Sequence, residues 1–407
     1  MADIAIHTLS NGIRLVHAMT ASPVAHCAVM IDAGSRDERP GKSGIAHLTE
    51  HLLFKGTEKR KAFHILSRLE DVGGELNAYT TKEETCLHAS FLKTYYERTL
   101  ELFGDILFHS TFLPRALKTE KEVIFEEIKS YKDSPSEQIF DDFDARIFSG
   151  HPLGNNILGT KGTLKKLTEK DIRGFMEEFY QPEKIVLASV GDISFPKLVR
   201  IAEKYFGEFP GSRHVGQRAP FTGCQPFRKV QPGRTHQAHC LLGNLAYSMN
   251  DPRRFGLFLL TNLLAGPGMN SRLNMALREK NGLVYTVEAS FQPYADTGVF
   301  SVYFGADKMN VEKSLQIIHK ELRHLCEKKL GSMQLHKARQ QLSGQLAIAA
   351  DSGEHRMLSM AKSLLGYGKV VSFEETYQHI HAVTATELVD IARETFSPET
   401  LSCLIYK

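Results

Sequence analysis

His47-Leu48-Thr49-Glu50-His51 is the stretch on which the reading of this chain turns. It has the form H-x-x-E-H, the inverse of the H-E-x-x-H zinc-protease pattern. The segment around it, Gly44 to Lys55, is rich in apolar and helix-forming residues and predicts a helix. Residues four apart on a helix share a face, so both imidazoles can reach one ion. Glu50, three residues after His47, projects to the same face. Two imidazoles, an adjacent carboxylate and an open coordination position are what metal-assisted hydrolysis requires: the metal acidifies water and the carboxylate takes its proton. The same pattern also fits the polar face of an ordinary helix with hydrogen-bonded histidines, so the rest of the chain has to decide.

The chain has 407 residues, which predicts two domains of about 200 residues each. At 42% hydrophobic and 24% charged residues, the composition is that of a soluble globular protein. The formal net charge is +3 and no basic block stands out, so nucleic acid is not an expected partner. Met1-Ala2-Asp3-Ile4-Ala5-Ile6-His7 is neither a signal peptide nor an Arg-rich transit peptide. No apolar run reaches the length of a membrane span. A cytoplasmic location without a membrane partner is therefore expected. Cys27, Cys86, Cys224, Cys240, Cys326 and Cys403 are scattered and none forms C-x-x-C, which predicts buried, reduced thiols.

Ile4 to Leu9 and Ile13 to His17 flank Ser10-Asn11-Gly12 and predict a hairpin. A strand over Val24 to Ala33, a helix over Ala62 to Val72 ended by Gly73-Gly74, strand-like sequence from Leu76 to Phe91, and helices from Lys93 to Ser110 and Pro114 to Lys132 follow. Gly207 to Pro232 lacks periodicity, and the domains are read as 1–212 and 233–407, with 213–232 as linker. After the linker the pattern restarts: His239-Cys240 opens a strand as His26-Cys27 does, and a helix follows over Phe255 to Ala265. Sliding Leu48-Thr49 onto Leu260-Thr261 puts His47 on Leu259, Glu50 on Asn262 and His51 on Leu263. Leu87-His88-Ala89-Ser90-Phe91 also resembles Val287-Glu288-Ala289-Ser290-Phe291. This is the signature of an internal duplication. The second copy keeps the helix and loses the metal-binding groups, so the fold itself does not require them.

A catalytic zinc takes three protein ligands. In the helix after Pro114, steps of three and four residues trace Leu113, Leu117, Glu120, Ile124, Glu127 and Tyr131. Carboxylates in such a stripe need a metal or a positive partner; alternatively, the helix rotates to expose both. Glu122 and Glu126 project elsewhere.

Together with Phe54-Lys55-Gly56-Thr57, Gly73-Gly74-x-x-Asn77-Ala78 and Glu126-Glu127-Ile128, the H-x-x-E-H stretch resembles the inverzincins, the group of pitrilysin, insulin-degrading enzyme and the mitochondrial processing peptidase. The interval from His51 to Glu127 agrees with that family's interval to its glutamate ligand. The resemblance implies one zinc per chain held by His47, His51 and Glu127, with Glu50 as the base and Glu120 as an accessory catalytic glutamate. Leu277-Arg278-Glu279-Lys280-x-Gly282-Leu283-x-Tyr285 resembles the family's Arg/Tyr segment, which implies that Arg278 and Tyr285 bind the substrate carbonyl. Asn77 and Ala78 open a strand that, in the family, offers its edge to substrate; an ordinary strand start is the other reading. Gly266-Pro267-Gly268-Met269-Asn270 departs from the family's glycine run, and its proline stiffens that loop.

The expectation is an α+β protein of two homologous domains in tandem, each a mostly antiparallel or mixed sheet with helices on one side. Its expected activity is zinc-dependent hydrolysis of peptides or unfolded polypeptide segments inside the closed chamber of a homodimer. Two alternatives stand beside this: a non-catalytic homologue serving as a structural or partner subunit of a peptidase or membrane complex, and a subunit that needs a different partner chain.

Overall fold

The computed structural model describes residues 4–209, 218–232 and 236–407. The expected hairpin forms from β1 (Ile4–Thr8) and β2 (Arg14–Met19), and Gly12 takes the positive φ of 103° that the turn requires. β3 (Val24–Ile31) follows. The strand-like stretch over 76–91 is two strands, β4 (Glu75–Thr80) and β5 (Thr85–Leu92), paired antiparallel. With β6 (Ile185–Gly191) they form one sheet in the order β1-β2-β6-β3-β5-β4, in which only β2 and β6 run parallel. All seven residues of β6 are buried, as a central strand covered on both faces must be.

On one face of this sheet Leu15, Val29, Leu87 and Leu187 share a core with the motif helix Ile45–Leu53 and the helices Ala62–Glu70, Tyr96–His109, Glu169–Phe179 and Phe195–Phe206. On the other, Val16, Met30, Val186 and Val190 meet Met357, Met360, Ala361 and Leu364 of the helix Gly353–Tyr367.

The second sheet contains β7 (Arg228–Gln231), β8 (Gln237–Ala246), β9 (Val284–Pro293), β10 (Gly298–Asp307) and β11 (Ser402–Tyr406) in the order β7-β11-β8-β10-β9. Its parallel pair is β7 and β11. Helices Arg254–Ala265, Val311–Glu327 and Ala385–Phe396 fill one face. Leu241, Tyr303 and Leu404 on the other meet Ile139, Phe143 and Ile147 of the helix Pro135–Ile147.

Apart from β1, which has no counterpart among the described strands of the second sheet, the two sheets share one strand order, so the duplication extends to the fold. Helix Arg254–Ala265 stands between β8 and β9 as the motif helix stands between β3 and β4, and Leu259 and Leu264 are fully buried there. One detail of the repeat is corrected. Leu87–Phe91 lies in β5, whereas Val287–Phe291 lies in β9, the edge strand whose topological equivalent is β4. The short likeness reflects shared strand alternation, not equivalent positions.

The block boundaries are corrected too. Besides most of the first half, the first unit contains 348–371; besides most of the second, the second unit contains 130–154. Each half covers one face of its own sheet with its own helices, as expected. The opposite face is also apolar, and a helix from the other half covers it. The expected linker is shorter than 213–232: Arg228–Gln231 is strand β7, and Arg218 is anchored in the first unit by Asp37 at 2.9 Å and Asp32 at 2.8 Å. Residues 213–217 lie outside the described residues. All six cysteines are free. No helix among the described residues is long and apolar enough to cross a membrane.

The motif helix is fixed at its N-terminus by two local devices. Gly44 precedes it at φ 92°, where a Cβ would come within 2.7 Å of the Leu158 carbonyl oxygen. Glu38 is buried, and its carboxylate accepts from the backbone N–H of Gly44 at 3.0 Å and of Ala46 at 3.1 Å, satisfying donors that a helix start leaves open. Glu38→Ala strands these buried donors and is expected to lower unfolding stability by about 1–3 kcal/mol, while Glu38→Gln, which keeps an acceptor, costs less. Urea-unfolding midpoints compare the two.

Candidate metal centre and active site

The motif helix turns the imidazoles of His47 and His51 to one side, with ring centroids 4.5 Å apart. The helix Pro114–Lys132 supplies the third group. Glu127 Oε2 lies 3.8 Å from His47 Nε2 and 3.9 Å from His51 Nε2. Both separations exceed hydrogen-bond reach. Donors about 2.0–2.2 Å from one tetrahedral ion sit roughly 3.3–3.6 Å apart, so a small contraction would seat zinc. His47, His51 and Glu127 are the group of potential metal ligands among the described residues, with their donor atoms all within 4.8 Å of one another. Glu50 lies outside that set.

The electrostatics fit a cation. Burial, helped by the neighbouring His51, pushes the His47 imidazole down to about 3, which keeps it neutral with a lone pair free. Burial raises the Glu127 carboxyl above its ordinary range, with His51 pulling it back. Burial raises Glu50 as well; the hydrogen bond from Thr80 and the charge of His51 oppose this, and Glu127 adds to it. Two carboxylates held up by burial beside a neutral imidazole are a site short of positive charge, which a divalent cation would supply.

The carboxylate helix is not rotated so as to expose both carboxylates of the stripe. Glu120 is 3% exposed, Glu127 is half-buried, and Glu122 and Glu126 face solvent. The stripe is buried only in its middle, since Leu113 and Tyr131 at its ends are exposed. Glu120 does not join the donor set. It stands behind His51, with Oε2 3.2 Å from His51 Nδ1, where a carboxylate can orient the imidazole.

Asn77 and Ala78 lie on β4, the unpaired edge of the first sheet. Asn77 is exposed; Ala78 is half-buried against the core. At the end of this strand is a residue that the sequence reading missed. Thr80 Oγ1 donates to Glu50 Oε2 at 2.6 Å and so ties the edge strand to the carboxylate of the motif. Nothing in the alternation of β4 marks Thr80, because the contact depends on where the strand ends relative to the helix.

Arg278 and Tyr285 belong to the second unit. They line one cleft of about 380 Å³ with Gly266, Pro267, Gly268 and Asn274. Tyr285 is 76% exposed and Arg278 half exposed. The structure thus gathers the expected residues into two groups: His47, Glu50, His51, Glu120 and Glu127 in the first unit, and Arg278 with Tyr285 in the second.

Comparison with known proteins agrees with this division. Residues 15–161 match the model of the insulinase family, peptidase family M16, and residues 166–342 match that of the M16 inactive domain. An uncharacterized zinc protease of Bacillus subtilis, YmxG, is 32% identical over 402 residues, covering 98% of this chain and 97% of the relative. An uncharacterized zinc protease of Streptomyces coelicolor is 33% identical, covering 95% and 86%. In fold, the chain is similar to the crystal structure of a protease from Helicobacter pylori, with a TM-score of 0.94 over 100% of both chains at 23% identity.

The register of the carboxylate helix is open to a direct measurement. Glu127→Gln removes a donor and is expected to weaken zinc binding by more than the roughly 10–100-fold of an outer-shell change. Glu126→Gln, one residue away and solvent-facing, leaves it unchanged. Metal titration of the two variants checks the assignment; the reverse order would place the ligand at Glu126.

Proposed function

Because the chain belongs to the insulinase family of peptidases, M16, we propose that it is a zinc endopeptidase with one zinc per chain, acting on peptides or unfolded polypeptide segments. The observation that carries this reading is the convergence of His47, His51 and Glu127 on one point, with Glu50 beside the set but outside it. Zinc, when bound, supplies Lewis-acid polarisation of a carbonyl and acidification of water.

The chain's own groups do the rest. Thr80 holds Glu50 Oε2 and leaves Oε1 to take the proton of the attacking water and return it to the departing amine nitrogen. The raised affinity of Glu50 for a proton suits both transfers. The free edge of β4 at Asn77 and Ala78 receives an extended peptide through main-chain hydrogen bonds. In our reading the chain is a homodimer, and Arg278 and Tyr285 of the partner subunit stabilise the negative charge that develops on the attacked carbonyl oxygen. Their exposure in the chain leaves both free for such a role. A non-catalytic subunit is the weaker reading, since no metal-binding position is degenerate and relatives are named zinc proteases.

Glu50→Gln tests the base. It is expected to retain near-stoichiometric zinc and to lose peptide cleavage by at least about two orders of magnitude; full activity in purified Glu50→Gln would remove the assignment. The shared site is tested by mixing. Glu50→Gln and Tyr285→Phe subunits are each expected to be inactive, and a mixed dimer regains at most one working site. No recovery after confirmed subunit exchange would show that each site uses its own Tyr285, and an active Tyr285→Phe homodimer would show that Tyr285 takes no part.

A further inference from the structure

Lys55 belongs to the segment Phe54-Lys55-Gly56-Thr57 that follows the motif helix, and the chemistry above gives it no task. Thr57, its neighbour in that segment, is accounted for: its hydroxyl donates to buried Asp105 at 2.8 Å and pins the loop. Lys55 Nζ lies 3.0 Å from Glu120 Oε1. The other oxygen of the same carboxylate faces His51 Nδ1 at 3.2 Å. One buried carboxylate therefore bridges an ammonium and an imidazole of the metal set. The other imidazole has no such carboxylate behind it: His47 Nδ1 is buried and makes no hydrogen bond among the described residues.

We propose that Lys55 is a positioning residue for the metal centre, acting through Glu120 on His51; this rests on the reading of His47, His51 and Glu127 as a zinc site. A carboxylate accepting from Nδ1–H fixes the tautomer that points the Nε2 lone pair at the ion and makes that nitrogen more basic. The terminal torsion of a glutamate is soft, and a carboxylate this buried needs a positive partner. Lys55 answers both needs. It occupies Oε1, so that Oε2 stays on His51, and it balances the charge from a partly exposed position just beyond the motif helix. A lysine suits the place, because one compact ammonium takes one oxygen, whereas the forked guanidinium of arginine tends to take both.

Zinc affinity, measured by competition of zinc-free protein against a chromogenic chelator, tests this without reference to cleavage. Lys55→Met is expected to weaken zinc binding about tenfold, the lower end of outer-shell effects, and Lys55→Gln to do the same with a polar chain retained. Glu120→Gln should weaken it at least as much. The double variant Lys55→Met/Glu120→Gln should bind no more weakly than Glu120→Gln alone, because lysine acts only through that carboxylate. Lys118→Met, an exposed lysine on the carboxylate helix, controls for loss of a charge and should match the wild type. Wild-type affinity in folded Lys55→Met and Lys55→Gln would overturn the inference, and so would additive losses in the double variant. A wild-type chain that takes up no zinc would overturn the site reading, and this inference with it.

Discussion

The hold of Glu38 on the first turn of the motif helix is the interaction to which the site is referenced. Both imidazoles and Glu50 ride on nine residues, Ile45–Leu53, of which seven are buried. A short buried helix has little stability of its own, and its opening N–H groups cannot turn to water. Glu38 answers two of them. Gly44 makes the approach possible, because a side chain there would collide with the Leu158 carbonyl. Thus the direction of the helix is set before any metal chemistry, and the carboxylate helix completes a geometry that the loop over 34–44 has already fixed.

The duplicated architecture separates what the fold needs from what the chemistry needs. At the equivalent of the motif helix, the second unit carries Leu259 and Leu263 where the first has His47 and His51, within a helix equally enclosed by its core. Apolar side chains there need no partners. The first unit instead buries or half-buries two imidazoles, His47 and His51, and three carboxylates, Glu50, Glu120 and Glu127, close together, an arrangement that costs stability unless each group finds a counterpart. Thr80, Lys55 and Glu120 are such counterparts. The remaining deficit of positive charge lies at the point where His47, His51 and Glu127 converge, which is where a cation is wanted.

The exchange of helices follows from the same physics of burial. Each sheet presents apolar residues on both faces, and the helices threaded between its own strands reach one face only. The helices Pro135–Ile147 and Gly353–Tyr367, each far in sequence from the sheet it covers, supply the second layer. Division at the linker alone would leave Met30 and Val186 in one unit, and Leu241 and Leu404 in the other, facing water.

The sequence by itself determined the elements and the candidate ligands, since those depend on spacing along one helix at a time. His47 and His51 are four apart, Glu120 and Glu127 are seven apart on a helix that begins at a proline, and alternation marks each strand. It also disclosed that the chain is doubled, through recurrence of strand and helix. It misassigned Val287–Phe291 to the equivalent of β5, because alternation is common to all strands and only pairing says which one lies at the edge. It gave no sign of Thr80 or Glu38, and it quoted Lys55 without a role. Each of these acts across a gap between elements, and the length of a side chain relative to that gap is not written in any periodicity. The resemblance implied Glu127 as the ligand and Glu120 as its accessory, but tertiary structure alone decided that Glu120 meets His51 at Nδ1 while also meeting Lys55, because those contacts depend on how two helices cross, and the crossing is set by the core packed around them.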